Sequence, residues 1–192
     1  MTNDPVLLEE RYGARNYAPL PMVLSRAEGV YVWDTEGRRY LDMLGAYSAV
    51  SFGHRHPRLV AALIAQAGRM DVVSRAFRSD NLGAFLARAC EMTGMDRALP
   101  MNSGTEAVET ALKAARKWGH TVKGIPDNSA EIIVCDGNFH GRSIAITGFS
   151  PVPEYRAGFG PFPAGFARVP FGDARALEKM ITPNTAAFLV EP

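Results

Sequence analysis

The chain has 192 residues, 47% of them apolar, with 21 basic against 20 acidic side chains and a formal charge of +1. That composition describes a folded chain with enough apolar residues for a sizeable core, and 18 glycines and 13 prolines fall short of a low-complexity bias. Arginines scattered among acids provide no concentrated basic face, which argues against a nucleic-acid partner.

The opening MTNDPVLLEE lacks a basic segment followed by an apolar one. The longest unbroken apolar run, Leu59 to Ala65, is far shorter than the roughly 18 residues of a spanning helix. The expectation is neither export nor membrane insertion. Two distant cysteines, Cys90 and Cys135, fit reduced thiols in a cytoplasm.

Residues 1 to 21 carry no strong period, and the prolines of NYAPLP exclude a regular helix through it, so the segment reads as an arm. From Met22 to Asp42 the pattern predicts an antiparallel meander: a short strand, a Glu28-Gly29 turn, Val30 to Trp33, a turn at Asp34 to Gly37, and a strand from Arg39 to Met43. Pro57 stands at a first helical position, and Leu59, Val60, Leu63, Ile64 and Ala67 recur at helical spacing, predicting a helix over 57–69. A second helix runs from Asn81 to Thr93. Ser103-Gly104-Thr105-Glu106 is a capping-box pattern, and the helix it opens is expected to stop before Gly119.

Ile132 to Cys135 reads as a strand buried on both faces, and Ser143 to Thr147 as a further strand. Four glycines and four prolines between Gly148 and Gly165 predict a long irregular loop. A strand near Ala167 to Pro170, a helix from Asp173 to Ile181 and a strand from Ala186 to Val190 complete an alternation that predicts an α/β layer with a largely parallel sheet.

Three motifs can carry chemistry. Asn102-Ser103-Gly104-Thr105 combines free amides, the positive end of a helix dipole and two hydroxyls, which suits a phosphate; it equally fits an ordinary capped helix whose dipole Glu106 and Glu109 already use. Gly137-Asn138-Phe139-His140-Gly141-Arg142 follows a buried strand, where open sheets bind ligands; Phe139 can stack on a flat ring and Arg142 can pair with a carboxylate, or Phe139 can simply cap the core. His54-Arg55-His56 has no further ligand to complete a metal site, and none is assigned. Tyr17 and Tyr47 lie in irregular stretches where a phenol can meet a ligand. G-x-x-x-x-G-K-[ST], G-x-G-x-x-G and G-x-S-x-G are all absent.

Taken in order, NYAPLP (16–21), GVYVWDTEGRRYLDMLGAYSAV (29–50), GHRHP (53–57), SRAF (74–77), LPMNSGTEAVETALKAARKWG (99–119), GNFHGR (137–142), GFGPF (158–162) and AAFLVEP (186–192) resemble the class III pyridoxal-phosphate aminotransferases. The arm and the AYSAV segment look more like the ornithine-converting members than the acetylornithine-converting ones. The resemblance implies fold type I, with residues 1–52 as the arm and β meander of a small domain. Residues 53–192 would be the first part of a large, mostly parallel α/β domain. It implies pyridoxal 5'-phosphate as cofactor, held by Ser103, Gly104, Thr105 and Phe139, and an amino acid substrate met by Tyr17, Tyr47 and Arg142. It also implies a partner, either a second copy or a complementing C-terminal polypeptide.

In this family a lysine binds the cofactor aldehyde and an aspartate pairs with the pyridinium nitrogen. The resemblance places both beyond the VEP segment. Lys113 and Lys117 on the capped helix, Lys123 in a loop and Lys179 in a later helix offer no substitute. The expectation is a chain inactive alone; the alternatives are a non-catalytic binding or dimerisation module and part of an acetylornithine enzyme.

Overall fold

The computed structural model describes residues 3–192 in two compact units, one ending at Leu82 and the other spanning Gly83–Pro192.

The first unit starts with a helix, α1 (Pro5–Tyr12), inside the segment expected to be irregular. A local cap makes it: Asp4 accepts from the Val6 and Leu7 amides at 2.9 and 3.3 Å, and Pro5 fills the first turn. Apolar periodicity did not reveal it because α1 buries nothing. NYAPLP itself stays irregular. The meander follows as expected, β1 (Leu24–Glu28), β2 (Tyr31–Asp34) and β3 (Arg39–Leu41), antiparallel in that order with Ala27 opposite Val32 and Val32 opposite Tyr40.

Asp34 closes the second turn of the meander. Its buried carboxylate accepts from the Glu36 and Arg38 amides at 2.9 Å, from Arg38 Nε at 2.7 Å and from the Tyr40 hydroxyl at 2.8 Å. Burial works against the charge, but the bonds from Arg38, Tyr40 and the two amides outweigh it and lower the pKa to about 2.

Beyond β3 the backbone turns left-handed for four successive residues, Gly45, Ala46, Tyr47 and Ser48, with φ of 53°, 47°, 54° and 71°. For an L-residue that conformation costs roughly 1–2 kcal/mol, so three non-glycine residues in a row need external support. α2 (Pro57–Ala67) then starts at the expected Pro57, ends two residues short of the expected 57–69 with Gly68 as its C-cap, and leaves Leu59, Leu63 and Ile64 exposed.

α3 (Leu82–Thr93) leads into the second unit, followed by α4 (Gly104–Thr121), β4 (Glu131–Cys135), α5 (Ile144–Gly148), the single turn α6 (Pro153–Arg156), β5 (Phe166–Val169), α7 (Ala174–Met180) and β6 (Thr185–Leu189). The three strands form a parallel sheet in the order β5-β4-β6. The central position of β4 explains its continuous apolar run. Ile132 and Val134 pack with Leu112, Ile146 and Phe149 on one face, while Ile133 and Cys135 pack with Val169 on the other, beside Ala176 and Leu177 of α7. Burial pushes the Cys135 thiol pKa up, with Asp136 adding to the effect.

Two expectations fail here. Ser143–Thr147 is not a strand: the Ser143 hydroxyl accepts from the Ile146 amide and caps α5, so local capping overrides the β-branched character of Ile144, Ile146 and Thr147. Gly119 does not end α4, which continues to Thr121. It is buried in the helix, and a Cβ there would lie 3.0 Å from Ala186 Cβ and from Ile125 Cδ1. Its missing side chain serves close approach to β6, not termination.

Candidate functional site

The carboxyl ends of β4 and β6 lie side by side in the parallel sheet, where open α/β sheets collect ligands. From β4 the chain enters Gly137–Arg142, and from β6 it enters Glu191. Asn138 joins the two ends. Its Nδ2 donates to the Glu191 carbonyl at 3.1 Å and its Oδ1 accepts from the Glu191 amide at 2.8 Å, continuing the strand pairing through a side chain. The Phe139 amide donates to Glu191 Oε2 at 2.9 Å. The backbone of Phe139 is thereby fixed while its ring stays 60% exposed, with the Arg142 guanidinium 6.0 Å from the ring centroid.

The head of α4 borders the same turn. Ser103 Oγ accepts from the Glu106 amide at 3.2 Å, and Glu106 Oε2 accepts from the Asn102 and Ser103 amides at 2.8 and 3.1 Å. The capping box therefore consumes two amides that the sequence left available. The Gly104 and Thr105 amides have no partner among the described residues, and space is open where a Gly104 Cβ would stand. Ligand capacity at this helix end is concentrated in those two N–H groups and in the Ser103 and Thr105 hydroxyls.

Gly141 couples the two motifs. Its φ is 122°, and a Cβ there would lie 2.6 Å from Thr105 Oγ1 and 3.1 Å from Ile146 Cδ1. Only a residue without a side chain lets the turn lie against Thr105. Ser143 donates to Glu109 of α4, a second tie between turn and helix. The structure thus brings Ser103, Gly104, Thr105, Phe139 and Arg142 into one unit. Tyr17 and Tyr47 belong to the first unit; both are exposed, Tyr47 at 83%.

Asn138, Glu191, Glu109 and Gly141 were not singled out for these structural roles by the sequence. Their contacts link positions far apart in the chain, and no local spacing signals them. His140 packs edge-on against Phe149, and its Nε2 is buried without a partner. Burial lowers its pKa and favours the neutral ring, while the negative field of Glu191 acts in the opposite direction and is outweighed. Lys113, Lys117 and Lys179 are exposed on helices, and Lys123 Nζ donates to the Thr185 carbonyl at 2.7 Å. Among the described residues no group of three or more His, Cys, Asp or Glu is placed to hold a metal ion, and no helix is long and apolar enough to cross a membrane.

A family model described as aminotransferase class-III matches residues 12–192. The chain is 57% identical over 191 residues to an ornithine aminotransferase of Brevibacillus brevis, covering all of this chain and 48% of that protein. Among solved structures, an ornithine aminotransferase of Toxoplasma gondii superposes with a TM-score of 0.95 at 44% identity, over 97% of this chain and 44% of that one. An acetylornithine aminotransferase of Elizabethkingia anophelis superposes with a TM-score of 0.83 at 53% identity, over 97% and 46%. The chain spans about half the length of the curated relatives it matches.

Proposed function

The chain belongs to the class-III aminotransferases, and we propose that it is the N-terminal part of an ornithine aminotransferase, moving the δ-amino group of ornithine to 2-oxoglutarate to give glutamate semialdehyde and glutamate. The observation that carries this reading is the 57% identity to the Brevibacillus brevis ornithine aminotransferase along the whole chain. On this reading residues 1–52 are the arm and meander of the small domain, and 53–192 open the large one.

The residues present fit pyridoxal 5'-phosphate. The unpartnered amides of Gly104 and Thr105, with the Ser103 and Thr105 hydroxyls, suit a phosphate at the positive end of α4. Phe139, exposed on a fixed backbone, suits a flat pyridine ring. When bound, the cofactor supplies an electron sink for carbanion chemistry. Arg142 would pair with a substrate carboxylate, and Tyr17 and Tyr47 would line the substrate's path. The family's cofactor-binding lysine and pyridinium-pairing aspartate would come from the half of the relatives' length not matched here. The working form is a cytoplasmic homodimer, completed by that half.

The test is to assay the 192-residue chain alone and mixed with a polypeptide carrying the unmatched half of the relatives. Ornithine transamination and the yellow absorbance of bound cofactor are expected only in the mixture. Turnover by the chain alone, or preference of the mixture for N-acetylornithine over ornithine, would overturn the reading. A colourless, inactive mixture would mark the chain as a non-catalytic binding or dimerisation module.

A further inference from the structure

The geometry points to Asp42 as a positioning residue that, through a lock shared with His54, sets the direction in which Tyr47 is presented; this rests on the reading of Tyr47 as a substrate contact.

Tyr47 sits in the left-handed run Gly45–Ser48, and its side chain has no hydrogen-bonding partner among the described residues. The backbone conformation therefore sets the Cα–Cβ direction from which the phenol departs and restricts its rotamers. That backbone is held at both ends by one carboxylate. At the entry, Asp42 Oδ1 accepts from the Leu44 and Gly45 amides at 3.0 and 2.9 Å. At the exit, Asp42 Oδ2 lies 2.7 Å from His54 Nε2. His54 is itself tied to the meander, donating its amide to the Gly29 carbonyl at 2.8 Å and accepting from the Gly29 amide at 2.9 Å. Gly53 completes the anchor, since a Cβ there would stand only 3.2 Å from the Gly29 backbone.

Inside the loop the left-handed turn closes on itself, through Tyr47 N–H to the Leu44 carbonyl and Val50 N–H to the Gly45 carbonyl, each at 3.1 Å. Three non-glycine residues at positive φ do not hold that shape unaided. The half-buried carboxylate spans entry and exit, so the bond to His54 and the bonds to the two amides act on one conformation. The His54 bond leads the effects that lower the Asp42 pKa, followed by the Gly45 amide.

The experiment is a double-mutant cycle in the holoenzyme reconstituted as above, reading KM for ornithine against kcat, with D42A, Y47A and the pair. D42A is expected to raise KM about tenfold while changing kcat less, as loss of charge-assisted bonds implies. In the Y47A background D42A should add little further change. D42N, which keeps an oxygen for the two amides, should recover part of the loss. If D42A does not fold, D42N and H54Q run through the same cycle decide the matter. Fully additive KM effects, or an unchanged KM in these variants while Y47A raises it, would overturn the lock. An unchanged KM in Y47A would instead overturn the role given to Tyr47. As a readout independent of turnover, chymotrypsin should cut after Tyr47 several-fold faster in the D42A chain, with cutting after Phe171 unchanged; equal rates at both sites would also overturn it.

Discussion

Gly137 and Gly141 flank the same turn, yet a side chain would meet different surroundings at each. At Gly137, φ is 79° and nothing lies within 4 Å of an added Cβ, so alanine meets only the backbone cost of a left-handed conformation, about 1 kcal/mol. At Gly141 the same methyl lands 2.6 Å from Thr105 Oγ1 and 3.1 Å from Ile146 Cδ1, adding overpacking of about 1–3 kcal/mol. The expected order of destabilisation in urea is therefore Gly141→Ala well above Gly137→Ala. Only the former should also weaken cofactor retention in the reconstituted enzyme, because it pushes the turn away from Thr105. Equal midpoints for the two variants would show that the contact with Thr105 yields without cost. This pair also marks a limit of reading glycines in sequence: both sit in one GNFHGR motif, and only the fold shows which of them makes room for a distant hydroxyl.

At the scale of elements, α4 joins stability to binding. Its capping box fixes the first turn, while the Gly104 and Thr105 amides remain unpaired among the described residues. Ser103→Ala should cost about 0.5–2 kcal/mol of stability through loss of the bond to the Glu106 amide. Since the two free amides stay in place, cofactor affinity should fall only modestly, by less than in Phe139→Ala; titration with pyridoxal phosphate in the reconstituted enzyme would measure both. The start of α4 was legible because a capping box is local and its residues are adjacent. The same holds for the meander, α2, β4 and the alternation around the parallel sheet, whose signals lie within single windows of sequence. What escaped was of two kinds. Helices α1 and α5 are short and capped by Asp4 and Ser143, and they carry too few turns to establish a period. Gly119 was read as a stop because its role, contact with Ala186 of β6, crosses a long stretch of chain. In the candidate site, Ser103 to Thr105 and Phe139 were legible from turn chemistry, whereas Asn138 and Glu191 needed the adjacency of β4 and β6 to be known.

For the whole molecule, the decisive matter is the apolar surface each unit leaves uncovered. In the first unit the buried residues among those described are Val32 and Asp34, while Leu59, Leu63 and Ile64 of α2 and Phe52 are 54–75% exposed. Full burial of such a side chain is worth about 1.5–3 kcal/mol, so this face gains more from a cover than the meander can supply. In the second unit β6 pairs with β4 alone among the described residues, which leaves one edge of the sheet bare beside Phe188 and Val190, both about two-fifths exposed. An unpaired edge with apolar side chains recruits further strands. The relatives are about twice as long, which provides chain for both surfaces. The expected behaviour of the isolated chain is concentration-dependent self-association and strong binding of a hydrophobic dye, both suppressed by the unmatched half of the relatives. Two variants separate the surfaces. Leu63→Glu should reduce dye binding without touching the sheet edge, and Phe188→Lys should reduce association by placing charge beside the bare strand. If the chain alone stays monomeric at tens of micromolar, as a compact soluble domain would, and binds no dye, these surfaces do not need a cover, and the reading of the chain as half of a larger folded unit loses its physical ground.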